Sequence, residues 1–389
     1  MKILFVNRYI EETGGVEYYI RALASRLKEK GHQTGIVHWD ESKDIADFDS
    51  SSRINILWDM ELDLGRKAGH MLGEVLRDFS PDVVYLHNME NGKTIDYLAR
   101  REHVVRYIHG YKTVDPDGRM LLQNPLEINP YPLSPTCFLR AFTRLCMPRN
   151  PVKGIKAYLR AKRTLEATKG LNDVIVASEH MKKTLIKNGI RNDRVTVLPY
   201  FVDYVLSQED AVPDKRRMLF AGRIIKGKGL DLLLDVLGLV KEDFVLDVVG
   251  TGPMEDILKK EVEARELTDK VIFHGWIDHR ALPEFYKRAL FLVMPSVWPE
   301  PFGICGIEAA FFGRSAVAFD VGGISDWLVD GETGFLVDPY NKKKMVEKIT
   351  YFLKNPDKAL ESGQKAKKLA LEKYNPELHI EKLLRIFRS

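Results

Sequence analysis

Short apolar runs bounded by glycine and polar residues alternate along this chain with segments whose apolar positions recur at helical spacing. Residues 3–7 read as a buried strand, and Ile20, Leu23, Ala24 and Leu27 then share one face of a helix that Gly31 ends. Further strands are predicted at residues 82–86, 103–108, 174–177 and 195–198. Beyond Pro199, residues 207–215 are polar and aperiodic, which reads as a linker. The pattern then restarts. Strands are predicted at residues 218–221, 244–249, 271–274, 292–295 and 316–319, with helices at 230–240, 254–264, 282–289 and 304–312. Fully apolar strands alternating with helices indicate parallel sheets covered on both faces. The expectation is an α/β protein of two doubly wound domains in tandem, with ligands beyond the carboxyl ends of the strands.

The length of 389 residues fits two domains of about 100–200 residues each. With 45% hydrophobic and 29% charged residues, the chain falls among soluble globular proteins. Asn7 and Arg8 cut short the first apolar run, which argues against a signal peptide. No apolar stretch approaches the roughly 20 residues of a spanning helix, so a cytoplasmic location is expected. Cys137, Cys146 and Cys305 are too few for a disulfide framework and lack zinc-ligand spacing, so they are expected as reduced thiols.

A net charge of +4 gives little support for nucleic-acid binding. The basic residues are nonetheless uneven: Arg140, Arg144, Arg149, Lys153, Lys156, Arg160, Lys162, Arg163 and Lys169 are interrupted by one acid, Glu166. Phe138, Leu139, Phe142, Leu145, Ile155 and Leu159 lie among them. Residues 138–169 read either as a solvated helical face or as a surface attracted to anionic headgroups or a charged acceptor. The second reading makes the protein peripheral at the inner face of a membrane.

Five loops after strands could carry chemistry. In the strongest, Glu300 occupies a proline-rich turn, and Glu308 lies about one turn into the following helix. The amides of Phe302, Gly303, Ile304 and Cys305 open that helix, a terminus that attracts phosphate or sugar oxygens. Gly303 and Gly306 are expected to let a ligand approach the backbone. Between another strand and helix, Gly222-Arg223 and Lys228-Gly229 resemble a phosphate loop without the Walker spacing, and Arg223 and Lys228 can converge on a diphosphate. Gly14-Gly15 after the first strand permits close backbone approach to the same phosphates. His109 at the end of the 103–108 strand projects toward the cleft or serves the core, and Gly252 lies in a third glycine loop. Asp115-Pro116-Asp117-Gly118 and Asp47-Phe48-Asp49 read as turn and loop sequences, so no metal site is expected.

The chain resembles the retaining glycosyltransferases of family 4, of GT-B fold: two Rossmann-like domains facing each other across a cleft. The resemblance rests on Gly14-Gly15-Val16-Glu17, Gly222-Arg223 with Lys228-Gly229, Val249-Gly250-Thr251-Gly252-Pro253 and Phe273-His274-Gly275. It extends to the Glu300 and Glu308 pair, Val321-Gly322-Gly323 and residues 331–337. It implies an N-terminal acceptor-binding domain over 1–205, a C-terminal donor-binding domain over 206–375, and a helix at 376–389 returning to the first. It also implies that Glu308 binds the ribose hydroxyls, while Glu300 and the amides of Phe302, Gly303 and Ile304 hold the donor sugar. Arg223, Lys228 and Gly15 would serve the diphosphate, the backbone of Trp276 and Ile277 the base, and His109 the transferred sugar. Two motifs depart from the family pattern: Tyr200-Phe201 stands where Asn-Gly is usual, and Gly110 follows His109 in place of Asp.

The expected activity is sugar transfer with retention from a UDP-, GDP- or dTDP-linked donor to a hydroxyl of a glycan or lipid-linked acceptor. No cofactor or metal is expected, because Arg223, Lys228 and the helix terminus supply positive charge for the departing diphosphate. The rival classes are a sugar-nucleotide epimerase of the same fold, which needs no acceptor, and a catalytically silent nucleotide-sugar-binding protein. A dinucleotide oxidoreductase lacks its full glycine fingerprint here.

Overall fold

A computed structural model describes residues 1–9, 14–39, 46–54, 66–124, 126–144, 146, 150–204 and 213–389. They form two compact units, Met1–Phe201 with Pro376–Ser389 (unit 1) and Val202–Asn375 (unit 2). Most of the linker expected at 207–215, together with Leu145 and Arg149 of the basic segment, lies outside the described residues.

Unit 1 opens with β1 (Lys2–Val6), α1 (Gly15–Glu29), β2 (Gln33–His38), β3 (Ser50–Arg53), α2 (Arg66–Phe79), β4 (Val83–His87), α3 (Gly92–Ala99) and β5 (Val104–Ile108). A short antiparallel pair follows, β6 (Leu121–Gln123) and β7 (Leu126–Ile128). Then come α4 (Cys137–Thr143), α5 (Pro151–Lys169), β8 (Asp173–Val176), α6 (Glu179–Lys187) and β9 (Val195–Val197). The main sheet is parallel, in the order β3-β2-β1-β4-β5-β8-β9. Its central strands are buried along nearly their whole length, which is why they read as continuous apolar runs. β3 is Ser-Ser-Ser-Arg at the sheet edge and carries no apolar signal, while β2 has only Ile36 and Val37 as branched apolar residues. Neither strand was among those predicted: β3 is made by backbone pairing rather than side-chain burial, and β2, although buried from Thr34 to His38, has too short an apolar run to announce a strand. Asn150 caps α5 through Lys153 N, with Pro151 in its first turn, and Ser178 caps α6 through Met181 N.

The aspartates weighed as metal ligands have other partners. Asp47 pairs with Arg21 at 2.7 Å, and Asp49 accepts from the Thr34 amide at 2.7 Å. Asp115 is buried and accepts from the amides of Arg119 and Met120, closing the turn at Gly118.

Unit 2 contains β10 (Arg217–Ala221), α7 (Leu230–Leu237), β11 (Val245–Val249), α8 (Glu255–Ala264), β12 (Val271–Gly275), α9 (Leu282–Arg288), β13 (Phe291–Met294), α10 (Ile304–Phe311), β14 (Ser315–Phe319), β15 (Gly334–Val337), α11 (Lys342–Lys354) and α12 (Pro356–Lys373). The strands are parallel in the order β12-β11-β10-β13-β14-β15, so β15 extends the sheet beyond the last strand predicted from sequence. Asp247 of β11 is fully buried and accepts from Arg217 at 3.0 Å, Arg288 Nε at 3.0 Å and His274 at 2.7 Å. That pairing makes a buried carboxylate tolerable. Val248 faces Phe273 and Val249 faces Gly275, so His274 is the extra residue of a β-bulge that Asp247 holds. The bulge turns the chain into Gly275-Trp276-Ile277.

The last helix, α13 (Pro376–Ile386), belongs to unit 1. A carbonyl only accepts, so His379 Nδ1 donates to Pro199 O at 2.8 Å, leaving Nε2 to accept from Tyr19 Oη at 2.8 Å. Phe387 adds an edge contact to Tyr85, with ring centroids 5.0 Å apart. Among the described residues no helix is long and apolar enough to cross a membrane.

Candidate active site

Two loops of unit 2 are fastened together at the carboxyl ends of β10 and β13. The amides of Val297 and Trp298 both donate to the Gly227 carbonyl at 2.9 Å, and Ser296 Oγ donates to it at 3.2 Å. Gly229 makes this approach possible: at φ +70° a Cβ there would fall 1.9 Å from the Pro295 carbonyl oxygen. Lys228 is thereby delivered to Glu300, with Nζ 2.7 Å from Oε1 and 2.9 Å from Oε2. The ammonium also lies 5.1 Å from the centroid of the Trp298 ring. Glu300 is buried, and Gly322 backs it so closely that a Cβ there would meet the Glu300 carbonyl oxygen at 2.2 Å. The Gly323 amide donates to that same oxygen at 2.8 Å.

Helix α10 starts one turn later. Gly303 takes φ +90° as its N-cap, and Ile304 and Cys305 follow in the first turn. Gly306, expected to admit a ligand, is instead covered by protein: a Cβ there would lie 2.1 Å from the Trp327 ring. Trp327 is fixed over it by Nε1 donating to Phe302 O at 2.7 Å, so this glycine serves core packing.

Glu308 is buried on α10 and accepts from three side chains. Tyr286 Oη donates to Oε2 at 2.7 Å, while His279 Nε2 at 2.8 Å and Tyr204 Oη at 3.2 Å meet Oε1. Burial, aided by the Glu308 charge, holds the Tyr286 phenol well above its ordinary range, so it remains a donor. Cys305 lies among the charges of this region. Burial pushes its thiol up to about 12, and Lys228 lowers it while Glu300 and Glu308 raise it. The structure therefore gathers Lys228, Glu300 and Glu308 around the start of one helix.

The other expected residues occupy varied surroundings. Arg223 is exposed in the loop after β10, and space beside Gly222 is open. Gly252 is needed where two loops cross, since a Cβ there would meet the Ile224 carbonyl oxygen at 2.3 Å. Trp276 is 58% exposed beyond β12, and Ile277 beside it is half-buried.

In unit 1, Gly14 is the extended N-cap of α1, and Gly15 is that helix's first residue. His109 is bound on both ring nitrogens: Nε2 lies 2.8 Å from His87 Nδ1, and Nδ1 lies 2.7 Å from Tyr200 Oη. It stacks on Tyr107 with centroids 4.4 Å apart. Burial, reinforced by the nearby Arg106 charge, depresses its pKa to about 3, so the ring is neutral.

Sequence reading singled out Tyr200 only as a departure from a family pattern and missed His87, Tyr204, His279 and Tyr286 altogether. Their partners lie 22 to 104 positions away, beyond the reach of any local spacing. Strand ends offered the available signal: His87 closes β4 as His109 follows β5.

On the apolar and basic segment, Cys137 and Cys146 are buried with Leu122, Ala141 and Tyr158. Leu139 is 71%, Val152 62%, Ile155 47% and Leu159 40% exposed. Lys153, Lys156, Lys162 and Arg163 are exposed beside the last three.

A family model described as glycosyl transferases group 1 matches residues 206–369, and one described as glycosyltransferase family 4 matches residues 13–205. The chain is 27% identical over 187 residues to an alpha-D-kanosaminyltransferase of Streptomyces kanamyceticus, covering 47% of this chain and 48% of that protein. It is 28% identical over 232 residues to a poly(ribitol-phosphate) alpha-N-acetylglucosaminyltransferase of Staphylococcus aureus, covering 59% of this chain and 46% of that protein. It thus spans about half the length of the curated relatives it matches. Among solved structures, sucrose-phosphate synthase from Thermosynechococcus elongatus matches with TM-score 0.76 at 19% identity, over 100% of this chain and 98% of that one. The Anabaena protein HepE, in complex with UDP, matches with TM-score 0.75 at 18% identity over 100% of both chains. These likenesses establish the GT-B fold.

Proposed function

The chain belongs to the group 1 and family 4 glycosyltransferases, and from that membership we propose that it moves a sugar, with retention and without a metal, from a nucleotide-sugar donor to a hydroxyl acceptor in polysaccharide or glycolipid assembly. The observation that carries this reading is the convergence of Lys228, Glu300 and Glu308 on the start of α10. Glycosyl transfer builds positive charge on the sugar and negative charge on the departing diphosphate. Lys228, Arg223 and the first amides of α10 supply cationic and partial positive charge for that leaving group. Glu300 accepts from sugar hydroxyls, and Glu308 from the ribose. In this reading Gly14, Gly15 and His109 of unit 1 serve the donor as well, and the acceptor attacks from the leaving-group face while the diphosphate takes its proton.

UDP and UDP-glucose appear in complexes of the Anabaena neighbour, which favours a uridine-linked donor over a GDP- or dTDP-linked one. The exposed apolar and basic face of α5 favours a lipid-linked or membrane-proximal acceptor for a protein attached at the inner face. The test is a thermal-shift screen of UDP-, GDP- and dTDP-sugars followed by turnover assays with the stabilising donor, since a ligand of the native state raises apparent stability. Near-normal turnover in Arg223→Ala and Lys228→Ala would end the proposal. Conversion of the donor, without any acceptor, into an epimeric sugar would make the protein an epimerase.

A further inference from the structure

The Glu308 carboxylate offers about four lone-pair positions. Among the described residues three are in use: Tyr286 Oη on Oε2 at 2.7 Å, and His279 Nε2 at 2.8 Å with Tyr204 Oη at 3.2 Å on Oε1. Two vicinal hydroxyls, each donating once, need two positions. Only about one is open, so a ribose held through both hydroxyls requires one of the protein donors to leave.

The three donors differ in how firmly they are held. Tyr286 lies inside α9 and is 1% exposed; its ring and that of Tyr204 both pack against Phe312, at 5.8 and 5.2 Å between centroids, so what separates them is the helix and the burial. A carboxylate only accepts, so His279 Nε2 carries a proton and forms a charge-assisted bond shorter than that of Tyr204. Tyr204 lies outside any helix or strand, is half-buried, and makes the longest of the three contacts. Its phenol also lies 2.8 Å from His279 Nε2, and its ring stacks on the His279 ring with centroids 4.9 Å apart.

We propose that Tyr204 is a built-in stand-in for a ribose hydroxyl: its phenol occupies an acceptor position on Glu308 Oε1 and gives way when a nucleotide binds. The chain thus sets its own nucleotide affinity through a competing internal donor. The proposal rests on the reading of Glu308 as the ribose acceptor. It adds a specificity consequence, because a 2′-deoxynucleotide brings one hydroxyl of the pair and needs no displacement.

The experiment is calorimetric titration of the full chain with UDP and with 2′-deoxy-UDP, for the wild type, Tyr204→Phe and Glu308→Gln. Tyr204→Phe should tighten UDP by about three- to tenfold, the scale of one net hydrogen bond, and leave 2′-deoxy-UDP within about twofold. Equal gains for both nucleotides, no gain, or a loss would overturn the stand-in. Glu308→Gln separates the two readings. Should it bind UDP as the wild type does, the ribose assignment falls and the stand-in with it. If it weakens UDP while Tyr204→Phe gains nothing, only the stand-in falls. Amide exchange at residues 202–204 of the wild type gives a check that needs no variant: saturating UDP should speed it, and slower exchange would overturn the displacement.

Discussion

Lys228 Nζ lies 2.7 and 2.9 Å from the two carboxylate oxygens of Glu300, 72 positions away in the chain. The pair stands where two loops are fastened through Gly227, and Glu300 is almost fully buried. A buried pair adds little net stability, but deleting one member strands the other charge at a cost of about 3–5 kcal/mol. Loss of activity on single substitution therefore mixes two effects. Lys228→Ala should lower the melting temperature as well as turnover. Replacing both residues, as Lys228→Met with Glu300→Gln, should restore most of the thermal stability while kcat stays about a hundred- to a thousandfold low. Thermal unfolding and turnover measured on the same preparations decide it; near-wild-type turnover in the double variant would remove the leaving-group role.

His109 invites assignment as a catalytic base, yet both of its ring nitrogens are engaged and its pKa is depressed to about 3. A base of that strength and connectivity contributes no inflection at neutral pH. We expect the kcat/KM profiles of wild type and His109→Asn to share one shape between about pH 5 and pH 8, the histidine window. The variant should lie lower by up to about a hundredfold, the cost of a small misplacement. An inflection near pH 6 in the wild type that vanishes in the variant would restore the base.

The two sheets were legible because their central strands are buried on both faces and carry unbroken apolar runs. β3 was not, because Ser50 to Arg53 are held by pairing to β2 alone. The candidate site could be read where the chain passes from strand to helix, with Lys228 and Glu300 in the loops and Glu308 on α10. It was misread at Gly306, where the reason for glycine is an indole from 21 positions downstream, a contact no local pattern announces. The hydroxyl and imidazole ring around Glu308 was invisible for the same reason: Tyr204, His279 and Tyr286 reach it from three separate segments.

Unit 1 should be acid-labile for a specific reason. Burial lowers His109 and His379 from 6.5 to about 3, and His87 is held well below its ordinary value. His32 and His180 are lowered in the same sense. The unfolded chain takes protons on these rings near pH 6.5, whereas the folded unit does not. Their contribution is present above pH 6.5 and is lost as pH falls toward 3, by about 1.4 kcal/mol per pH unit for each fully linked ring. Asp115 acts oppositely: burial raises it from 3.8 to about 6, so its contribution is greatest below 3.8 and is lost as pH rises through 6. Thermal unfolding between about pH 7.5 and pH 5 should show a falling midpoint, with a shallower slope in His379→Gln and a steeper one in Asp115→Asn. Identical slopes in wild type and His379→Gln would contradict the linkage.

The face formed by Val152, Ile155 and Leu159 follows helical spacing and stays exposed, with Lys153, Lys156, Lys162 and Arg163 beside it and Leu139 exposed on α4. A soluble helix gains nothing from leaving such a stripe in water, whereas an anionic bilayer surface accepts both its apolar and its basic parts. Each basic residue near such a surface is worth about 1 kcal/mol. The protein should therefore cosediment with vesicles containing phosphatidylglycerol and not with pure phosphatidylcholine. Replacing Lys153, Lys162 and Arg163 by Gln should weaken that binding by about a hundredfold, with a smaller salt dependence. Replacing Val152, Ile155 and Leu159 by Ser should weaken it while leaving the salt dependence intact, because the apolar contribution is not screened. Failure of the wild type to sediment with the anionic vesicles at low salt would assign this face to another role.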